Sequence, residues 1–207
     1  MKKLPVHALG FPIPRFASAV DGTPDFRVID ERTLAACHER KLCWLCGERL
    51  GDYKAFIVSP MSAVNRISNE PASHIDCAKF VARFCPFLTL PKSIRRATST
   101  PGSADAPRNV IGMGNRGVSL VWVTHKYKVV RVADTMLFDL GDPWQTFWYA
   151  RGQCATRDQV EAAFAAGLGP MYEVARAGGD LSISDLDAVV AHVTRLFPKH
   201  AAAEILA

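Results

Sequence analysis

The sequence predicts an α+β fold with small antiparallel sheets, and three observations carry that reading. Residues 119–124, 126–132 and 135–140 are apolar, β-branched or aromatic runs separated by short polar breaks, the pattern of consecutive strands. Helix-start signals stand at Ser68-Asn69 before Pro71 and at Thr156 with Gln159. Two spaced pairs, Cys43/Cys46 and His74/Cys77, flank a further predicted strand. The chain has 207 residues, of which 49% are hydrophobic and 22% charged, which excludes disorder throughout, collagen and a coiled coil. It is long enough for one or two domains, and six Cys are too few for a disulfide scaffold at this length.

Taken in order, residues 1–29 are Pro-rich and read as an extended N-terminal arm, with Phe11, Phe16 and Phe26 as anchors. A domain over 30–88 follows. In it Asp30 caps a helix over 31–40, Tyr53–Ser59 is a strand, and 60–67 is open between helix and strand. Pro71 suits the first turn of a helix that Pro86 stops near residue 84. Residues 89–117 contain four Gly and three Pro with little periodicity, and read as a linker or long basic loop. A second α+β module over 118–207 opens as a three-stranded meander, broken at Gly141-Asp142-Pro143. The spacing of Trp144, Phe147 and Trp148 is helical and favours core packing; Tyr149 and Trp122 are the alternative, a stacking surface for bases or a partner. Helices are expected over 157–166, ended by Gly167 and Gly169, over 170–177, and over 184–197 capped by Ser184.

The charge is uneven. The formal net charge is +5, yet residues 157–207 hold four basic and seven acidic groups. Residues 89–117 hold five basic groups (Lys92, Arg95, Arg96, Arg108 and Arg116) against Asp105. A basic segment of this kind attracts a phosphate backbone or an acidic protein surface, and the same total also serves solubility. Met1-Lys2-Lys3 is followed by Pro5, His7, Pro12 and Pro14, which interrupt any apolar signal region, and no run approaches a membrane span. The expected location is the cytoplasm, where thiols stay reduced and a paired Cys pattern reads as metal binding or redox chemistry.

The metal reading is the sharper one. Cys43-Trp44-Leu45-Cys46-Gly47 brings two sulfurs to one side of a tight turn, and Gly47 allows the positive φ that aims backbone amides at them. His74 and Cys77, at i and i+3 on the first turn of a predicted helix, share a helix face. The positive end of that helix favours the Cys77 thiolate. The resulting Cys₃His set suits a tetrahedral structural Zn²⁺. Cys85 and Cys37 are rival ligands; Cys37 also suits a small buried hydrophobe.

The order of knuckle, strand and helix carrying Cys43, Cys46, Gly47, His74 and Cys77 resembles the treble-clef zinc finger over residues 42–85. The resemblance implies a zinc-organised platform of the kind used for nucleic acid, for protein partners and by HNH-type nucleases. The nuclease family's catalytic His belongs in the stretch matching 55–65, which holds no His, Asp or Glu. Asn65 and Asn69 cannot act as a base at neutral pH. More loosely, the whole chain resembles bacterial and phage proteins, which implies a microbial origin.

The remaining groups form no second constellation. His125 lies beside Lys126, Lys128 and Arg131 and suits an exposed turn. Cys154 and the histidines 7, 192 and 200 make no usable spacing. Gly112-Met113-Gly114 precedes a strand rather than a helix, so it reads as a turning loop. The expectation is a non-catalytic zinc-stabilised binding protein acting on nucleic acid or on a protein complex that handles it, such as a phage or mobile-element inhibitor of a host system. The alternative is an HNH-like metal-dependent nuclease. No membrane and no small-molecule substrate is expected. With two separate domains, loss of the metal would unfold the N-terminal half and leave 118–207 folded.

Overall fold

In the computed structural model, residues 4–7, 12–16, 18–20, 23–25, 31–89, 117–132, 135–178 and 182–199 are described. The elements in chain order are β1 (Ser18–Val20), β2 (Thr23–Asp25), α1 (Glu31–Glu39), β3 (Lys54–Val58), α2 (Pro60–Asn65), β4 (Ile67–Ser68), α3 (Ile75–Phe84) and α4 (Pro86–Thr89). After these come β5 (Val118–Thr124), β6 (Tyr127–Val132), β7 (Thr135–Leu140), β8 (Gln145–Ala150), β9 (Gln153–Cys154), α5 (Arg157–Arg176) and α6 (Ile183–Thr194). The class is α+β with antiparallel pairing throughout.

The strands expected after residue 117 form, but not as a meander. β5 lies between β3 and β8 in a four-stranded sheet ordered β3-β5-β8-β9, while β6 pairs with β7 in a second sheet ordered β4-β7-β6. The cause is in the side chains. Every residue of β5 is buried, so the strand needs a neighbour on each edge and cover on each face. β6 exposes Lys128 and Val130 and lies at the edge of its sheet. The switch occurs at a corner where the Thr124 hydroxyl donates to the Lys126 carbonyl at 3.0 Å and accepts from the Lys126 N–H at 3.3 Å.

β3 comes from the 30–88 segment and pairs over its whole length with β5 of the 118–207 segment, from Lys54↔Thr124 to Val58↔Leu120. One face of this sheet packs Val121, Val123 and Tyr149 against Ala78 and Ala82 of α3. The other face buries Phe56, Leu120, Trp122 and Trp148 in a larger core shared with the cysteine-bearing turn, α2, α5 and α6. Alternation along β5 therefore divides its side chains between two cores. The second sheet joins the larger core through Phe138, whose ring lies 6.2 Å from Phe56 and 6.0 Å from His38 of α1.

Several local expectations change. Residues 145–150 are strand, so Phe147 and Trp148, whose spacing with Trp144 reads as helical, go to the cores on opposite faces of a sheet, and Trp144 is exposed. The helix over 157–176 runs on through Gly167, Gly169 and Pro170. Gly169 has no Cβ to meet the ring of Pro170, which eases one of the clashes that disfavour helix before proline. The capping box of Thr156 and Gln159 is present. Ser182, two residues before the expected Ser184, caps α6. The ambiguous 60–67 stretch is a helix capped by Ser59 followed by β4. The Asp30 cap, Phe11 and Phe26 lie outside the described residues.

Gly141 is fixed by a close approach: its N–H donates to the Lys126 carbonyl at 3.0 Å, and a Cβ there would collide with that oxygen. Gly141→Ala is expected to destabilise the fold by about 1–3 kcal/mol, the range for overpacking a closed site. Urea denaturation of the two forms measures it, and an unchanged midpoint would show that the corner is not as tight as described.

Candidate metal centre

The four ligand residues reach one point because three backbone links hold their carriers. The first is internal to the turn: the Cys43 N–H donates to Glu48 O at 2.7 Å and the Gly47 N–H to Cys43 O at 2.9 Å. Gly47 has φ +77°, the left-handed conformation this turn requires. The second link joins the turn to the approach of α3, with the Trp44 N–H donating to Ala72 O at 3.1 Å. The third joins that approach to β3: Ala55 and Ser73 exchange both N–H···O bonds at 2.8 Å. His74 follows Ser73 directly and is the N-cap of α3, with extended backbone and no capping bond from its side chain. Its imidazole is thereby left for another use.

The ligand atoms of Cys43, Cys46, His74 and Cys77 all lie within 4.8 Å of one another. His74 Nδ1 is 3.4 Å from Cys46 Sγ and 3.9 Å from Cys77 Sγ, and the His74 backbone N–H donates to Cys43 Sγ at 3.4 Å. On its far side the ring uses Nε2, which donates to the Arg49 carbonyl at 3.0 Å. That bond fixes the tautomer and leaves the Nδ1 lone pair facing the three sulfurs, the usual outer-shell arrangement of a metal-binding histidine. Cys43 and Cys77 are buried, and Cys46 and His74 are half-buried. This cluster can hold a metal ion.

Electrostatics agree with the donor set. The Cys77 thiol and the backbone amides of Cys46, His74 and Leu45 hold the Cys43 pKa well below the ordinary thiol range, against the opposing effect of burial. Cys77 is pushed up, first by donating to Cys43 and then by burial, and Cys46 is pushed up by burial. The three sulfurs therefore share a single negative charge on their own, because like charges this close oppose ionisation. A divalent cation between them reverses that balance and favours all three thiolates.

Other expected groups fall elsewhere. Cys37 is fully buried, its pKa is pushed up to about 12 by burial and then by the Cys43 charge, and its thiol donates to Leu42 O at 3.0 Å. It acts as a core residue under the turn and is not in the cluster. Cys85 caps the far end of α3 and is outside the cluster as well. Cys154 lies in β9. Asp142 is paired with Arg66 at 2.6 Å, and Asp139 lies in β7 opposite Lys128. Phe16 anchors the arm as expected, stacking on Trp44 at 5.8 Å, and the Arg15 N–H donates to Leu45 O at 2.8 Å. Lys92, Arg95, Arg96, Arg108 and Arg116 lie outside the described residues, as do Gly112 and Gly114. Trp122 and Tyr149 are buried, which removes them as a stacking surface; Trp144 is 53% exposed instead. Two contributors had no signal in the sequence, the Arg49 carbonyl and the Ala55–Ser73 bridge, since both act through backbone.

No family model, curated protein or solved structure matches the chain. Among the described residues no helix is long and apolar enough to cross a membrane.

Because Cys43 is already ionised near neutrality while Cys46 and Cys77 hold their protons, metal uptake near pH 7 is expected to release about two protons per ion. Calorimetry in buffers of different ionisation enthalpy counts them. The sign follows directly: bound metal is lost as pH falls, because protons compete for the same sulfurs. Cys37→Ala is expected to keep the metal stoichiometry of the unaltered protein, and loss of metal in that variant would place Cys37 among the ligands.

Proposed function

We propose that this chain is a non-catalytic binding protein, organised by a structural Zn²⁺ at Cys43, Cys46, His74 and Cys77, with nucleic acid as its target. The observation that carries the reading is the closed donor set: four protein atoms within 4.8 Å of one another, two of the residues buried. Structural zinc sites use four protein ligands, whereas catalytic ones keep a position for water. Three sulfurs and one imidazole are also the soft, nitrogen-tolerant set that zinc prefers over magnesium or calcium. Bound there, the ion would supply cross-linking of the turn to α3 and nothing to a reaction.

The treble-clef-like reading is supported by the order of parts. A knuckle supplies two ligands, β3 makes its short return pairing at Ala55–Ser73, and the first turn of α3 supplies the other two. The chain departs from the simple motif by inserting α2 and β4, and the long edge of β3 is taken by β5. An HNH-like nuclease needs a base in the stretch matching 55–65. That stretch offers none, and its helical part buries Pro60, Met61, Ala63 and Val64. Nucleic acid as target is supported by the net charge of +5 and by the five basic groups concentrated over 89–117.

Elemental analysis is expected to find one zinc per chain, with retention lost in Cys43→Ser and Cys77→Ser. Since β3 and β5 share a sheet, chelation should lower one melting transition reported by both halves of the chain, instead of sparing 118–207. Binding to nucleic acid should weaken steeply with salt. Replacing Lys92, Arg95, Arg96, Arg108 and Arg116 together should flatten the log–log slope by up to about 4. Tight, salt-insensitive capture of a protein, with no affinity for nucleic acid, would transfer the target to a protein complex.

A further inference from the structure

Trp122 and Tyr149, the alternative candidates for a stacking surface, are buried, and a different set stands at one end of the larger sheet. β3, β5 and β8 are successively antiparallel, so the start of β3, the end of β5 and the start of β8 meet at the same end. The residues just outside those three points are Tyr53, His125 and Trp144. Tyr53 lies 4.5 Å from the His125 ring and 4.4 Å from the Trp144 ring, centroid to centroid, and His125 lies 6.4 Å from Trp144. All three are exposed, Tyr53 at 38% and Trp144 at 53%.

This group does not serve the core. Trp44, Trp122 and Trp148 are each buried to within 7%. Trp144 alone among the four tryptophans presents a large open ring. The backbone beneath it is rigid: the Trp144 N–H donates to Val123 O at 2.8 Å, and the Trp122 indole N–H donates to Gly141 O at 3.0 Å. The metal cluster braces the same end, because Tyr53 is two residues from Ala55, which pairs with Ser73 beside His74.

The flanking charge selects the occupant. Lys54 and Lys126 follow Tyr53 and His125 in the chain; Lys126 is exposed, and the Lys54 ammonium donates to the Asp52 carbonyl at 2.9 Å. The nearby Asp142 carboxylate is held by Arg66 at 2.6 Å, which leaves Asp52 as the acidic group beside Tyr53. Exposed aromatic rings next to two lysines fit unpaired nucleobases on a phosphate backbone, since stacking is indifferent to sequence and each phosphate needs a cation.

We propose that Tyr53, His125 and Trp144 form a stacking platform for unpaired bases of single-stranded nucleic acid, with Lys54 and Lys126 meeting the adjoining phosphates. This rests on the reading of nucleic acid as the target and names the form of it. Duplex DNA cannot use the platform, because its bases are already stacked.

The test uses the full zinc-loaded chain with fluorescein-labelled oligothymidylate and a mixed-sequence duplex, read by anisotropy. Acrylamide quenching of tryptophan gives a second readout, since Trp144 is the accessible one. Oligothymidylate should protect the quenchable fraction. Trp144→Ala should bind it roughly 10-fold or more weakly, Trp144→Phe should recover most of that loss, and the duplex affinity should not change. Zinc content and far-ultraviolet circular dichroism confirm that each variant is folded. Trp144→Ala binding oligothymidylate as the unaltered chain does would overturn the platform while leaving nucleic acid as target. No affinity of the unaltered chain for either oligonucleotide would remove both. Protection of Trp144 by a proline-rich peptide and not by oligothymidylate would assign the rings to a protein segment and overturn the proposal.

Discussion

Strand β3 hydrogen-bonds along both of its edges, and the placement of every ligand side chain follows from that. On one edge Ala55 is tied to Ser73 by two bonds of 2.8 Å. On the other, five residues pair with β5. A ladder cannot slip by one residue without turning each side chain to the opposite face. With Phe56 committed to the larger core and Ala55 to the smaller, the register is fixed, and so is the point at which α3 begins. His74 stands at that point with Cys77 one turn on. The bond from Trp44 to Ala72 then brings Cys43 and Cys46 to meet them.

The cluster illustrates how little a set of ligands means without its surroundings. Three sulfurs near one another resist ionisation, and each would be a poor donor as a neutral thiol. The Cys77 thiol and the amides around Cys43 offset part of that resistance, and the Arg49 carbonyl orients the imidazole. Zinc supplies the remainder in the proposed state, coupling its binding to the folding of the sheet that carries β3. The structural consequence reaches beyond residues 30–88, because that sheet and the larger core draw on both halves of the chain.

The same register relates the metal centre to the surface. Tyr53 precedes β3 on the side where Ala55 meets Ser73, so the turn, the start of α3 and the aromatic end of the sheet are linked through a few backbone bonds. In the proposed reading, a centre that performs no reaction has a role, which is to hold a binding edge in shape. Loops do this poorly, since ordering them costs conformational entropy at the moment of binding. A braced strand end has met that cost on folding.

Residue identity and spacing determined the donor set: Cys43/Cys46 across a turn closed by Gly47, and His74/Cys77 on one helix turn, are local relations that need no knowledge of the rest. The strand at 54–58 and the Thr156 capping box were local in the same sense, governed by a short run of aromatic and β-branched side chains and by a bond reaching three residues along the chain. Pairing was not. Whether β5 joins β6 or β3 depends on which strand covers its second edge, and 59 residues separate Val58 from Val118. The helical spacing of Trp144, Phe147 and Trp148 was equally compatible with a strand that has a core on both faces, and only the second core, supplied by α3, decided it. Which aromatic rings face water was settled last and least locally, by the meeting of three strand ends that lie far apart in the chain.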